Sequence, residues 1–347
     1  MLKYTEVKID KNVRACNGLN KDMLTSLTSA GLVAVLWLTS SVQAADSIPG
    51  RTVAERLGYP ADSRVLVIEA EDMGMANAVD AATYAALENG SVTSASVLVP
   101  APWFPEVARW ARGHPNADIG VELDLNSDWS SYRWRPISPQ EKGSGLVDSA
   151  GYFPPDETSV FRHARPDEVE KETTAQIDLA KQAGISITHL DTHMRAMTLS
   201  PPLFQIYWKL GQRHKLPLLM PNQRIRNRGI PTGQEDIYSF GGVDVNLLQF
   251  PVERLFEMMP GIAKQDWLNA YEKSLTGLPP GVYLLSVHLG YNDGELQAMT
   301  WDHPNWGAQW RQNDFDVVTN PEFQKFLKEQ RFILVGWRDL QKAMPQQ

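Results

Sequence analysis

Cysteine is almost absent from this sequence, and strongly basic runs are absent altogether. Among the 347 residues only Cys16 is a cysteine, and it lies in residues 1–44, which we interpret as a cleaved leader. The mature chain would therefore contain neither disulfide bonds nor thiolate chemistry. The formal net charge is −8, which argues against a nucleic-acid-binding surface. The remaining composition is ordinary for a globular protein, which excludes disordered, collagen-like and coiled-coil classes.

Residues 1–44 have the pattern of a secretory signal peptide with a long n-region. Residues 24–38 are mostly apolar, five basic residues precede them, and Val42-Gln43-Ala44 fits a small-x-small cleavage site. The apolar run is shorter than the ~20 residues that a membrane span requires, so we expect no stable span after cleavage, with an uncleaved anchor as the alternative. We therefore predict a periplasmic or secreted protein whose residues 45–347 form a single domain.

The stretch 65–74 organises the remaining chain. Its branched apolar run, residues 65–68, predicts a strand buried on both faces, as in parallel sheets. Glu69, Glu71 and Asp72 then fall at the carboxyl end of that strand, the edge where α/β sheets and barrels build their sites. Acids crowded at one edge repel each other unless a cation lies among them. The stretch therefore indicates either a metal site or a solvated acidic strand end.

Strand and helix patterns alternate along the rest of the chain. Apolar segments such as 216–220 and 243–250 predict strands, and segments such as 76–88 and 167–183 predict helices closed by glycine. This spacing is typical of βα units around a parallel sheet. We predict an α/β fold, a distorted (β/α) barrel of about seven strands.

Several predicted strand ends carry candidate site residues. They are Glu71 and Asp72, Glu122 and Asp124, the motif His189-Leu190-Asp191-Thr192-His193, and His288. A (β/α) barrel would bring these ends together at its C-terminal face. Because side chains alternate along an extended strand, His189, Asp191 and His193 are expected to point to the same side. Each histidine alone also fits a buried residue with satisfied hydrogen bonds.

A long turn-rich segment, residues 126–166, follows the third predicted strand. A loop of this length in a compact domain is usually functional. Its aromatic side chains could stack on sugar rings, and we predict Trp129 and Trp134 as substrate contacts from their position. The alternative is packing in a small cluster under the loop, the interpretation favoured for Phe153.

On these motifs the chain resembles the YdjC-like carbohydrate deacetylases, the ChbG/HpnK family, which are relatives of the polysaccharide deacetylases. The resemblance runs from about Arg64 to Leu340. It rests on Ala70-Glu71-Asp72-Met73-Gly74, the segment 90–99, Gly120-Val121-Glu122-Leu123, Thr188-His189-Leu190-Asp191-Thr192-His193 and His288-Leu289-Gly290-Tyr291. It implies a distorted βα barrel that removes acetyl groups from N-acetylated sugars with a divalent metal.

The resemblance also implies roles for individual residues. The metal ligands would be Asp72, Glu122 and His193, the general base Glu71 and the general acid His288. To these we add the candidate substrate-binding residues Asp191, Arg195 and Tyr291. The partner would be an acetylated sugar or oligosaccharide. The sequence leaves the oligomeric state open, with a homodimer as one alternative.

Two positions depart from the family pattern. Glu122 stands where the family has a histidine ligand, and Glu71 stands where it has an aspartate base. Glutamate can bind a metal, but the ligand set then carries two negative charges instead of one, which favours Mg²⁺, with Mn²⁺ or Zn²⁺ as alternatives. The longer Glu71 side chain must fold back or lie displaced, and a displacement of about 1 Å can cost ~10²-fold in rate.

The departures keep three functions open. A metal-dependent deacetylase is the leading hypothesis. The second is a non-catalytic carbohydrate-binding member of the family with a degenerate metal site, which the two changed positions suggest. The third is a metal-dependent esterase, because the same pair of metal and water can attack an ester.

Overall fold

Among the residues that the structure describes, parallel strands form a seven-stranded sheet, and helices connect them. The computed structural model describes residues 52–220 and 251–344. The predicted signal peptide with Cys16 and the predicted strand 243–250 lie outside the described residues. Within the described ranges, none of the helices has the length and apolar character that crossing a membrane requires.

The sheet has the spatial order β4-β3-β2-β1-β6-β5, with β7 pairing to β1 beside this path. The strands are β1 (Arg64–Met73), β2 (Ser94–Leu98), β3 (Ile119–Leu123), β4 (Ile187–Thr192), β5 (Arg254–Phe256), β6 (Gly281–Val287) and β7 (Phe332–Leu334). Every pairing between them is parallel, so all of the carboxyl ends lie at one edge. The predicted strand 216–220 appears only as an isolated bridge between Leu190 and Leu218.

Strand β1 is the centre of the sheet because its apolar run is buried on both faces. Residues 65–68 are fully buried. Strand β6 pairs with residues 64–70, which occupies one edge of β1. The other edge is shared, since β7 pairs with residues 64–66 and β2 begins its pairing at Glu69. The acidic end of β1 therefore lies between β2 and β6.

The helices pack outside the strands and begin at recognisable sequence cues. They are α1 (Val53–Arg56), α2 (Asn77–Glu88), α3 (Phe104–Gly113), α4 (Glu157–His163), α5 (Pro166–Gln182), α6 (Pro201–His214), α7 (Trp267–Leu275), α8 (Gly294–Met299), α9 (Ala308–Val318), α10 (Pro321–Glu329) and α11 (Trp337–Ala343). Helix α5 begins at a proline, and the Asp293 side chain caps α8 by accepting a hydrogen bond from the Leu296 amide. A short 3₁₀ helix, His193–Thr198, follows β4 directly.

The two ends of the sheet approach each other at the carboxyl edge. Arg195 follows β4 and Glu257 follows β5, and their Nη2 and Oε2 atoms are 3.4 Å apart. The sheet therefore curves as a barrel does, although β4 and β5 do not pair with each other among the described residues. The structure confirms the predicted α/β fold with a parallel seven-stranded sheet, and the described strands leave the barrel open between β4 and β5.

Candidate active site

A bulge at the end of β1 turns two neighbouring carboxylates toward the same region. In a regular strand Glu71 and Asp72 would point to opposite faces. The pairing of β1 with β2 shifts register between Ala70 and Met73, and Asp72 has a left-handed backbone with φ 69°. Aspartate tolerates this conformation better than most residues because its short polar side chain can bond locally. The bulge therefore places both acids at the carboxyl edge.

Asp72, Glu122 and His193 converge at this edge. One ligand atom of each residue lies within 4.8 Å of the others. Nδ1 of His193 is 2.8 Å from Oε1 of Glu122 and 3.3 Å from Oδ1 of Asp72. All three side chains are buried. The structure thus brings together the three residues that were predicted as metal ligands, although they come from three different strand ends.

This donor set fits a divalent cation. Oδ1 of Asp72 is buried and accepts no hydrogen bond from the described residues. Burial, together with the charge of Asp72, raises the pKa of Glu122, so the two carboxylates oppose each other's ionisation. A cation among them would relieve that repulsion. Two carboxylates with one imidazole suit metals that prefer oxygen ligands, such as Mg²⁺ and Mn²⁺.

Three further side chains contact the candidate ligand residues, and sequence reasoning missed all three. Oδ1 of Asp128 is 3.2 Å from Nε2 of His193, on the side of the ring away from Glu122. Arg311 donates a hydrogen bond of 2.6 Å to Oδ2 of Asp72. Ser96 donates one of 3.0 Å to Oε2 of Glu122, and the Asp72 amide donates another of 3.0 Å to the same atom. Asp128 and Arg311 lie in no recognised motif, and Ser96 lies in the segment 90–99 without having been assigned a role there.

The charges around His193 strongly favour its protonated form in the metal-free protein. Burial alone would lower the pKa of His193. Asp128, Asp72 and Glu122 outweigh that effect and raise the pKa well above its usual value. Arg311 lowers the pKa of Asp72. Burial opposes ionisation of Asp72, but the guanidinium charge keeps the pKa of that carboxyl well below its usual range.

Glu71 and His288 form a second pair beside this group. Oε2 of Glu71 and Nε2 of His288 are 3.3 Å apart. Burial opposes both charges, yet the contact lowers the pKa of Glu71 and raises the pKa of His288 to about 9. The His288 amide donates a hydrogen bond of 2.9 Å to Asp314, whose other oxygen accepts from Trp267 and Tyr271. Asp314 thereby anchors the end of β6.

Asp191 joins the same edge, whereas His189 lies deeper. Glu71, Glu122 and Asp191 form a further group whose carboxylate oxygens lie within 4.8 Å of each other. Burial, followed by the charges of Glu71 and Glu122, raises the pKa of Asp191 well above its usual value. His189 instead contacts Glu69, with Nε2 and Oε1 2.5 Å apart.

The side chains on this face of the curved sheet therefore lie in layers at different depths. Glu69 and His189 each precede a site residue by two positions, and in a strand such residues share a face but lie ~6.6 Å apart. The Glu69 carboxylate also accepts a hydrogen bond of 2.7 Å from the Trp337 indole, on which the His189 ring stacks. Gly120 leaves the space that the His189 ring fills, since a Cβ there would lie 2.3 Å from that ring. His189 is thus a buried residue with satisfied hydrogen bonds.

The predicted aromatic contacts are not available for stacking in this structure. Trp129 is 2% exposed and Trp134 is 3% exposed. The Trp129 indole N–H points at Sδ of Met75, and the Trp134 indole donates a hydrogen bond of 2.6 Å to Asp124. Both rings pack under the loop, the alternative that sequence analysis favoured only for Phe153, which is also buried. Their burial does not support the prediction of direct sugar contact.

Two other candidate substrate residues, Arg195 and Tyr291, contact residues outside the group of Asp72, Glu122 and His193. Arg195 has a half-exposed side chain facing Glu257. Tyr291 packs edge-on against Phe315, with ring centroids 5.0 Å apart. Glu257 was not anticipated from sequence. Burial raises the pKa of the Glu257 carboxyl, and the charge of His288 lowers it by a smaller amount. The net effect is a raised pKa. Glu257 is therefore a further acid near the Glu71–His288 pair.

A parallel α/β sheet with buried carboxylates and histidines at its C-terminal edge defines the class of this protein. The model of the YdjC-like protein family matches residues 65–329, and the chain belongs to this family. A carbohydrate deacetylase of Thermus thermophilus is 33% identical to it over 84% of this chain and 98% of that protein. A carbohydrate deacetylase of Thermoanaerobacter pseudethanolicus is 22% identical over 79% of this chain and 98% of that protein.

A solved structure shows the same fold. It is the crystal structure of a candidate cellobiose-phosphate cleavage protein from Enterococcus faecalis V583. That protein is 25% identical to this chain and superposes with a TM-score of 0.63. The match covers 80% of this chain and 99% of the other. The shared architecture thus extends over four fifths of this chain.

Proposed function

We propose that this protein removes acetyl groups from an N-acetylated sugar or oligosaccharide by metal-dependent hydrolysis. The observation that carries the proposal is the convergence of Asp72, Glu122 and His193 within 4.8 Å, beside the Glu71–His288 pair. The names of the relatives from Thermus thermophilus and Thermoanaerobacter pseudethanolicus support the choice of reaction.

Asp72, Glu122 and His193 would hold the divalent ion. Their two carboxylates favour Mg²⁺, with Mn²⁺ or Zn²⁺ as alternatives. When bound, such an ion supplies a Lewis acid that polarises the amide carbonyl and acidifies water. Asp128 and Arg311 orient two of the ligands from behind, through contacts of 3.2 Å to His193 and 2.6 Å to Asp72.

Glu71 and His288 then divide the proton transfers. The lowered pKa of Glu71 keeps it ionised, as a base that takes the proton of the attacking water must be. His288, whose pKa is raised to about 9, is protonated at neutral pH and can donate to the leaving amine. After each turnover the proton passes from Glu71 to His288, since the two side chains are 3.3 Å apart. Arg195 and Asp191 would contact the sugar beside this pair.

Acetate release tests the proposal directly. The mature protein is purified, loaded with Mg²⁺, Mn²⁺, Co²⁺ or Zn²⁺ in turn, and incubated with N-acetylated chito-oligosaccharides. We expect release with at least one metal and none with a chelator. Glu71→Gln, which keeps the size but not the basicity of the side chain, should abolish it. A folded protein that releases no acetate with any metal would refute the assignment.

A non-catalytic carbohydrate-binding role is the second candidate, because Glu122 stands where the family motif has a histidine. The variant Glu122→His distinguishes this non-catalytic role from the deacetylase. Activity gained from an inert parent supports the non-catalytic role, whereas activity lost from an active parent shows that Glu122 is part of a working site. An acetylated ester substrate in the same assay tests the esterase alternative. The periplasmic or secreted location stays a prediction, and the homodimer stays one alternative for the oligomeric state.

A further inference from the structure

One large aromatic side chain projects from the C-terminal side of the sheet. Trp301 follows helix α8 and is 63% exposed. Single exposed hydrophobic residues are common on protein surfaces and need no function by themselves. Trp301 differs from such residues in two ways. A hydrogen bond holds it in place, and the loop that makes this bond also reaches the candidate site.

Two hydrogen bonds fix Trp301 and its neighbour against the loop that follows β3. The Trp301 indole N–H donates to Oγ of Ser131 over 3.2 Å. The Ser130 amide donates to Oδ2 of Asp302 over 2.9 Å. The polar atom of the indole is therefore satisfied within the protein, and the part of the Trp301 side chain that remains exposed is apolar.

The same loop leads directly into the candidate site. Asp128, three residues before Ser131, lies 3.2 Å from Nε2 of His193. Consecutive Cα atoms are 3.8 Å apart, so the Cα atoms of Asp128 and Ser131 are at most about 11 Å apart. The indole that Ser131 holds is thus attached to the same short loop segment that reaches the candidate site.

We propose that Trp301 forms a distal sugar subsite, on which a ring of an oligosaccharide stacks while another unit of the same chain lies at Asp72, Glu122 and His193. This rests on the proposed function. The apolar C–H face of a pyranose matches the exposed indole, and a fixed aromatic ring costs little conformational entropy on binding. The substrate is accordingly an oligosaccharide, and a single N-acetylated sugar does not reach both positions.

Binding to the metal-free protein tests this without requiring turnover. The full chain is titrated by calorimetry with N-acetylglucosamine and with triacetylchitotriose. We expect the trisaccharide to bind more tightly, and Trp301→Ala to weaken trisaccharide binding about tenfold while leaving monosaccharide binding unchanged. Trp301→Phe, which keeps an aromatic face, should restore most of the loss. Phe161→Ala removes another exposed aromatic ring from helix α4 and should have no effect.

Three results would overturn the subsite: no binding of the trisaccharide to the wild type, equal affinities of wild type and Trp301→Ala, or equal weakening by Phe161→Ala. Unfolding temperatures of the variants show whether each remains folded, and the exposure of Trp301 predicts little change. A chain that binds the trisaccharide through Trp301 yet releases no acetate would retain the subsite and lose the deacetylase assignment, so the two failures are distinguishable.

Discussion

Oε1 of Glu122 lies 2.8 Å from Nδ1 of His193, although 71 residues separate them along the chain. The contact joins the ends of β3 and β4, which are neighbours in the sheet. Asp72, from the end of β1, reaches the same imidazole nitrogen at 3.3 Å. A divalent ion held by these three residues would displace a proton from His193, whose protonated form the surrounding carboxylates favour.

Glu122→Gln should remove most metal binding, because it deletes one of the two carboxylate charges and keeps the shape of the side chain. A ligand that binds only the folded state stabilises it by about 2.7 kcal/mol at a hundredfold excess over Kd. We therefore expect Mn²⁺ to raise the unfolding temperature of the wild type and not that of the variant. Glu141→Gln, at an exposed position, is the control and should behave as the wild type. Equal metal stabilisation of both variants would contradict the ligand set.

Asp128→Ala should weaken Mn²⁺ binding by about 10–100-fold, because the second nitrogen of a ligand histidine then loses its partner. Asp128→Asn keeps an oxygen that can accept from Nε2 and should lose less. Calorimetric titration with Mn²⁺ measures both affinities without substrate. Unchanged affinity in the alanine variant would show that Asp128 does not orient His193.

His189→Ala should destabilise the fold. It removes the imidazole that contacts the fully buried Glu69 carboxyl, and leaving a buried polar group without its hydrogen-bond partner costs about 1–3 kcal/mol. Urea unfolding measures the change in the free energy of unfolding. His163→Ala, at an exposed position on α4, should change it by less than about 0.5 kcal/mol. A loss in His189→Ala no larger than in the control would mean that the pair does not contribute to stability.

Asp314 should make stability depend on pH. Burial raises its pKa from 3.8 to about 6, so the folded protein binds this proton more tightly than the unfolded chain does. The resulting stabilisation is complete below about pH 4 and is lost as the pH rises through about 6, with a total near 3 kcal/mol at 1.36 kcal/mol for each pKa unit. Urea unfolding of the wild type and Asp314→Asn between pH 4 and 7 measures the difference. The advantage of the wild type should shrink with rising pH, and a constant difference would contradict the shift.

Much of the candidate site could be predicted because its residues end apolar runs. Asp72, Glu122 and His193 each follow or close a buried strand, and parallel strands must present such positions at one edge. Arg311 and Asp128 gave no comparable signal. Arg311 lies within helix α9 and Asp128 in a loop, and only the folded structure shows that each contacts a distant candidate ligand residue.

The sequence by itself determined most of the strands, their parallel arrangement and the chemical types of the side chains at their ends, because the alternation of apolar runs and helix signals is local information. The tertiary structure decided which of those side chains meet. The bulge at Asp72 turned a second acid toward the site. His189, two residues before Asp191 on the same strand, contacts Glu69 below the site instead of joining it. The packing of the loop buried Trp129 and Trp134. Each outcome depends on contacts between residues far apart in the chain, which no local pattern encodes.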